Sequence, residues 1–338
     1  MQSILQQYNI PTNSTITPIH IGLINATYKV VTPYNEAYIL QKINTKVFTK
    51  PDAIAHNIAT VAEHIKLHNT QYLLPTPIAL PNGMPMLEID TNYYRLFHFV
   101  SNSHSKQTLQ NPEQAYEAAF AFGNFTYNCA LLPLELLQVT IPNFHNLTLR
   151  YTQYENAIQQ NPLQRVKAIT TEINYLQNNK AIVAQYQAML HNKNFVQRVT
   201  HHDTKISNVL FNDNDKSICV IDLDTVMPGY FISDLGDMFR TYLTTTPETE
   251  TDLSKIKIDV LTYQAIVAGY TKGMCNTLSA HELKYIHYSG EYMIYMQALR
   301  FVTDYINGDV YYPINYPTQN LDRAKNQMEL LRQFKMLV

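Results

Sequence analysis

The sequence predicts an α+β protein, with a small β-rich lobe at the N-terminus followed by a larger, mainly helical lobe. Short runs of β-branched and aromatic residues, separated by turn residues, crowd the first hundred positions, whereas from Pro112 onward apolar residues recur at helical spacing. A chain of 338 residues, 46% of them hydrophobic, is also long enough to build two lobes with sizeable cores. The polar run Ser101 to Lys106 marks the change, so the lobes are expected over residues 1–100 and 101–338.

Each element has a local reason. Thr27 to Val31 and Ala37 to Lys42 read as strands joined by a turn through Thr32, Pro33, Tyr34 and Asn35. A helix is expected over Asp52 to His68, where Ile54, Ile58, Val61, Ala62 and Ile65 fall on one face. Tyr93 to Val100 is a further strand. In the second lobe, helices are expected over Glu113 to Leu131, Leu163 to Leu190 and Asp259 to Met274, and again over Leu321 to Phe334, with Ala324, Met328 and Leu331 as its apolar face. Short apolar strands at Phe195 to Val199 and Ile218 to Ile221 interrupt them.

Composition narrows the partners. A formal net charge of −2 without a long basic run argues against nucleic acid, because binding a phosphate backbone needs clustered Lys and Arg. The N-terminus, MQSILQQYNI, lacks a basic–apolar–small signal pattern and no apolar run approaches 18 residues, so a cytoplasmic protein without a membrane partner is expected. Cys129, Cys219 and Cys275 are odd in number and far apart; they suit neither a disulfide framework nor a CxxC metal site and are expected to be buried.

The chemistry is concentrated between Val199 and Asp224, VTHHDTKISNVLFNDNDKSICVIDLD. Asp203 follows His202, Lys205 comes two residues later and Asn208 five residues after Asp203, the interval of the catalytic loop H-R-D-x-x-x-x-N in kinases. Phosphoryl transfer to a hydroxyl needs a carboxylate to accept its proton, the role expected of Asp203, and a mobile cation near the transferred group, expected of Lys205. Asn208 and Asp222, the latter delivered by the apolar strand before it, are expected to hold Mg²⁺, which keeps waters and takes few protein oxygens. His202 is expected to brace the loop. Asp224 is either a support for the metal ligands or a loop-bracing acid. In SDLGDMFR, Asp234 and Asp237 are expected to favour the start of a helix rather than bind metal, with Arg240 bracing the region.

VTHHDTKISNVLF, VIDLDTVMPG and DLGDMFR resemble the phosphotransferase family that includes aminoglycoside and choline kinases. GLINATY, YILQKINTKVF, IDLDTVMPG and RFVTDYINGDVYY are similar to the N-acetylhexosamine 1-kinases in particular, over nearly the whole chain. The resemblance implies a bilobal protein-kinase-like fold, a nucleotide-binding first lobe, a catalytic and substrate-binding second lobe, and ATP-dependent phosphorylation of a sugar such as GlcNAc or GalNAc on its anomeric hydroxyl. It implies nucleotide contacts from Gly22 and Asn25 in the loop before the first strand, and from Gln41, Phe97 and Phe99. It also implies sugar contacts from Asp203, Arg300 and Tyr311.

Two positions depart from the pattern. Leu23 stands where the hexosamine kinases commonly have His near the sugar, and Gln41 stands where kinases generally carry a strand lysine for the phosphates. Gln41 is expected to donate an amide hydrogen bond to phosphate instead. Two alternatives stay open: a kinase of another sugar, an amino alcohol or an aminoglycoside, and a catalytically silent nucleotide- or metabolite-binding module. The intact Asp203, Asn208 and Asp222 set argues against the silent module.

Overall fold

The computed structural model describes residues 1–19 and 24–337. The chain opens with α1 (Gln2–Gln7) and β1 (Thr15–Ile19), then continues through β2 (Ala26–Val31), β3 (Ala37–Lys42), α2 (Pro51–His68), β4 (Leu87–Ile89), β5 (Asn92–His98) and β6 (His104–Ser105). Helices α3 (Pro112–Asn128), α4 (Leu147–Gln160), α5 (Thr170–Asn178) and α6 (Ala181–Leu190) precede β7 (Arg198–Thr200), β8 (Val209–Phe211), β9 (Ser217–Val220) and β10 (Met227–Gly229). The remainder is helical: α7 (Phe231–Tyr242), α8 (Val260–Gly273), α9 (Ala280–Leu283), α10 (Ile286–Asn307) and α11 (Gln319–Phe334). This is the kinase-like arrangement expected, a small antiparallel sheet and a larger helical part.

Two compact units share these elements. The first comprises Met1–Gln107, Asn128–Pro142 and Ser207–Pro228; the second comprises Thr108–Tyr127, Asn143–Ile206 and Gly229–Val338. The sheet of the first unit runs β1-β2-β3-β5-β4 with antiparallel neighbours. One face of it closes over α1, where Leu5, Val30, Leu40 and Leu96 are fully buried together. Burying a side chain of this size contributes roughly 1.5–3 kcal/mol, enough to hold a six-residue helix that would not persist alone. Helix α2 begins with Pro51 and Asp52 and ends with Lys66 and His68, so its ring and charges suit its two ends. Its Asn57 is buried and bonds the backbone of Gln138 in both directions and the carbonyl of Val226, which ties the later segments of the unit to the sheet's helix. A smaller antiparallel sheet, β6-β8-β9, brings the segment after Asn208 into the same unit.

Helix α10 is the core of the second unit. Almost every position from Tyr288 to Ile306 is buried, and α4, α6, α7 and α11 pack around it. A helix buried on nearly all sides, with so many apolar residues around its girth, is stable only when surrounded in this way. Gly308 ends it in the left-handed conformation, φ 98°, which glycine adopts without penalty.

The expected helix Leu163 to Leu190 is three pieces: a 3-10 turn at Val166–Ile169, then α5, then α6. Asn178 and Asn179 make the break, and the Asn179 amide bonds back to the Tyr175 carbonyl, competing with helix continuation. Cys129 and Cys219 are buried as expected, but Cys275 is exposed, in the left-handed turn after α8 with φ 47°. Among the described residues no helix is long and apolar enough to cross a membrane.

Candidate active site

The loop after β7 is held from below by the acidic pair of α7. The Asp234 carboxylate accepts the backbone N–H of His202 at 2.7 Å and of His201 at 3.0 Å, and Asp237 accepts the N–H of Thr204 at 3.0 Å. Thr204 donates its hydroxyl to the Asp234 carbonyl, and Tyr242 donates to the Thr204 carbonyl. The two acids therefore act on the loop, where the sequence reading gave them to the start of their own helix. The N-cap of α7 is Tyr230, which makes no side-chain cap. Arg240 braces the region as expected, bonding Asp237 at 2.9 Å and Glu248 at 2.9 Å. Burial drives the Asp234 carboxyl up to about 7, against the two backbone donors that favour its charge.

His202 has φ 65°, a left-handed conformation that costs a non-glycine residue about 1–3 kcal/mol and persists only where the surroundings impose it. Here they do. Its ring nitrogens bond Ser233 Oγ at 2.7 Å and Thr200 Oγ1 at 2.8 Å, and its N–H is held by Asp234. A Cβ at Gly229 would lie 2.3 Å from Thr200 Oγ1 and 2.5 Å from the His202 ring, so glycine is required there for close approach. His202 is thus a brace with both nitrogens engaged. Beyond it, Asp203 and Lys205 form an ion pair at 2.8 Å. Burial opposes the Lys205 charge, but Asp203 and Asp237 outweigh it and hold the amine above its ordinary value. From Asp203 to Asn208 the chain passes from the second unit to the first.

In the first unit a cavity of about 390 Å³ is lined by Gln41, Phe97 and Phe99 from the sheet side and by Asn208 and Asp222 from the segments around β8 and β9. Five of the expected cofactor and metal residues are therefore brought together. Asp222, at the end of β9, is also left-handed, with φ 62°. Asn208 and Asp222 offer two hard oxygen donors to one cavity, which fits Mg²⁺, an ion that takes one or two protein oxygens besides phosphate and water. Among the described residues no group of three or more His, Cys, Asp and Glu side chains gathers as a metal site.

Asn25 does not line this cavity. It is buried, donating to Asp224 at 2.7 Å and accepting the N–H of Asn44 at 3.0 Å. Asp224 also pairs with Arg95 at 2.5 Å, both side chains almost wholly buried, which resolves it as a brace. Gln41 is engaged within the sheet: its amide nitrogen donates one N–H to Thr27 at 3.3 Å and its oxygen accepts from Arg95 Nε at 2.9 Å. Gly22 and Leu23 lie outside the described residues.

A second cavity, of about 510 Å³, lies within the second unit, lined by Arg300 and Tyr311 together with Arg150, Gln153, Asp304 and Tyr312. Arg300 lies 5.5 Å from the Tyr311 ring and 5.3 Å from the Tyr312 ring and donates to Gln297 at 3.2 Å. Arg150, on α4, donates to Gln153 at 3.0 Å and to the Asn143 carbonyl at 3.3 Å. Among the described residues neither guanidinium is within ion-pair distance of a carboxylate. Asp304, which lines the same cavity, is already satisfied by the N–H groups of Tyr311 and Tyr312, each at 2.9 Å, and by Asn320 at 3.0 Å. Burial lowers the pKa of Arg150, and the neighbouring Arg300 lowers it further. The wall adjoins the braced loop. Buried His145 shares Ser233 with His202, and burial, His202, Arg300, Arg240 and Arg150 together hold its pKa well below the ordinary value.

Sequence reasoning missed Arg95 and Arg150. Arg95 carried a signal, since it has the same strand parity as Phe97 and Phe99 and so shares their face. Arg150 carried none, because α4 was not read as a helix.

The model of the phosphotransferase enzyme family, APH, matches residues 15–259 of this chain, well over half of it. Among solved structures, a microcompartment-associated aminopropanol kinase is similar at a TM-score of 0.70 and 15% identity, over 99% of this chain and 96% of that one. A spectinomycin phosphotransferase in complex with ADP and spectinomycin follows at 0.63 and 10% identity, over 99% and 97%. A choline kinase from Cryptosporidium parvum Iowa II is similar at 0.57 and 15% identity, over 99% and 94%. At these identities the likeness is one of fold.

Proposed function

We propose that this chain, which belongs to the phosphotransferase enzyme family, is an ATP- and Mg²⁺-dependent kinase of a neutral small-molecule hydroxyl, with the anomeric hydroxyl of an N-acetylhexosamine such as GlcNAc or GalNAc as its acceptor. The observation that carries the choice of acceptor is the pair Arg150 and Arg300, two guanidinium groups on one cavity against a single carboxylate, Asp304, that pairs with neither among the described residues. A cavity of that sign repels the ammonium groups of amino alcohols and aminoglycosides, since like charges brought together cost several kcal/mol. Neutral ring oxygens and hydroxyls instead accept hydrogen bonds from guanidinium forks, and the Tyr311 and Tyr312 rings suit the apolar face of a sugar.

In this reading the nucleotide occupies the first unit's cavity, with Phe97 and Phe99 against the base side and Asn208 and Asp222 as the residues that would hold Mg²⁺. When bound, that ion neutralises charge on the phosphate oxygens. Asp203 accepts the proton of the attacking hydroxyl, and Lys205, paired to it at 2.8 Å, orients the carboxylate. The scissile bond joins the γ-phosphorus to the bridging oxygen of ATP; the new bond joins that phosphorus to the acceptor oxygen, and ADP leaves.

The test is ATP consumption by the purified chain across GlcNAc, GalNAc, glucose, choline, aminopropanol and spectinomycin, with NMR of the product. The expected result is turnover on an N-acetylhexosamine and phosphorus at the anomeric carbon. Turnover on the amines alone would replace the acceptor assignment with the amino alcohol or aminoglycoside alternative.

A further inference from the structure

The first unit's cavity contains its own answer to the missing strand lysine. Gln41 on β3 is paired in register with Thr27 on β2 and with Arg95 on β5. Residues directly opposite in an antiparallel sheet project from the same face, and all three line the cavity. The row is bonded along its length: Thr27 Oγ1 accepts from Gln41 Nε2, and Gln41 Oε1 accepts from Arg95 Nε at 2.9 Å. With both ends of its amide engaged, Gln41 orients the arginine.

Arg95 is also fixed from two other directions. Its guanidinium pairs with Asp224 at 2.5 Å and lies over the Phe97 ring at 5.3 Å. Asp224 in turn is held by Asn25, which is anchored to the backbone of Asn44. A buried ion pair is poor value as mere packing, because a hydrophobic pair of similar volume is commonly at least as stable. Among the described residues lining this cavity, Arg95 is the one lysine or arginine, facing the same space as Asn208 and Asp222.

We propose that Arg95 supplies, from β5, the positive charge against the nucleotide phosphates that kinases place at the β3 position held here by Gln41, with Gln41 and Asp224 as its positioning residues. The inference rests on the nucleotide occupying the first unit's cavity. The Arg95–Asp224 pair then stands in for a lysine–glutamate pair: the carboxylate holds the cation in place, and the planar fork presents remaining N–H donors to phosphate oxygens.

The experiment compares binding of ATP and adenosine to the full chain by calorimetry, in wild type, Arg95→Met, Gln41→Leu and the double variant Gln41→Lys with Arg95→Met. Adenosine lacks phosphates and reports the integrity of the pocket. Arg95→Met is expected to weaken ATP by about 10- to 100-fold, the worth of one charge-assisted contact, and adenosine by less than about 2-fold. Gln41→Leu, which keeps the charge and removes its orienting acceptor, is expected to weaken ATP by about 3-fold with adenosine unchanged. The double variant should regain part of the ATP affinity, because a lysine at position 41 projects from the same face. Equal loss of ATP and adenosine in Arg95→Met, or unchanged ATP affinity, would overturn the assignment; if Arg95→Met does not fold, an unchanged ATP-to-adenosine ratio in Gln41→Leu does so. A wild type that binds neither ligand would instead overturn the nucleotide reading on which the assignment rests.

Discussion

In the first unit's cavity Arg95 is closed into a pair with Asp224 and a hydrogen bond to Gln41, whereas in the second unit's cavity Arg150 and Arg300 share a wall and, among the described residues, neither is ion-paired to a carboxylate. The first arrangement fixes the direction in which one cation is presented, which suits a phosphate ligand that must meet its donors in a set geometry. The second sets the sign of the local field and so selects by repulsion. Among the described residues the one acidic residue on that wall, Asp304, accepts from the backbone of Tyr311 and Tyr312 and from Asn320 and is outnumbered by the two guanidiniums, so the wall stays positive. One cavity is therefore built to hold, the other to choose.

The largest effect should come from the residue that belongs to neither wall. Asp203→Asn keeps the shape of the loop and removes the proton acceptor, so turnover is expected to fall by roughly 10²-fold or more with ATP affinity nearly unchanged. Steady-state kinetics beside nucleotide titration checks it; near-normal turnover would remove Asp203 from its role.

A smaller effect concerns the support beneath that loop. The Asp234 carboxyl is raised to about 7 in the folded chain, above its ordinary 3.8. A raised carboxyl binds its proton more tightly folded than unfolded, so its contribution to stability is fully present below about pH 4 and is lost as pH rises toward 7. Asp234→Asn does not titrate. The melting temperature of wild type should therefore fall relative to the variant by on the order of a few °C between pH 5 and 8. A difference that stays flat over that range would reject the shift.

How much of this was legible in the sequence depended on distance along the chain. Asp203, Asn208 and Asp222 are set by local spacing, and the strand Ile218 to Ile221 that delivers Asp222 announces itself by its apolar run; the structure brings Asn208 and Asp222 to one cavity as that spacing implied. Most long periodic helices were legible for the same reason, α2 nearly to the residue. The split at Asn178 and Asn179 was not, because apolar periodicity continues across a break made by side-chain hydrogen bonds. The role of Asp234 and Asp237 was hidden because their partners lie about 33 residues back in the chain. Gln41 was noticed as an absence, but only the strand register shows which neighbour makes it good. Arg150 meets Arg300 across 150 positions, a relation that no spacing rule contains.

The claim that the two cavities divide the substrates is tested most directly by Arg300→Lys. A bidentate fork over the Tyr311 and Tyr312 rings cannot be reproduced by a point charge on a flexible stem, so the apparent KM for the acceptor should rise by about 10-fold. The KM for ATP, measured on the same protein at saturating acceptor, should stay within about 2-fold of wild type, as expected when only acceptor binding is lost. A rise in the KM for ATP with the acceptor's unchanged, or equal rises in both, would contradict the division.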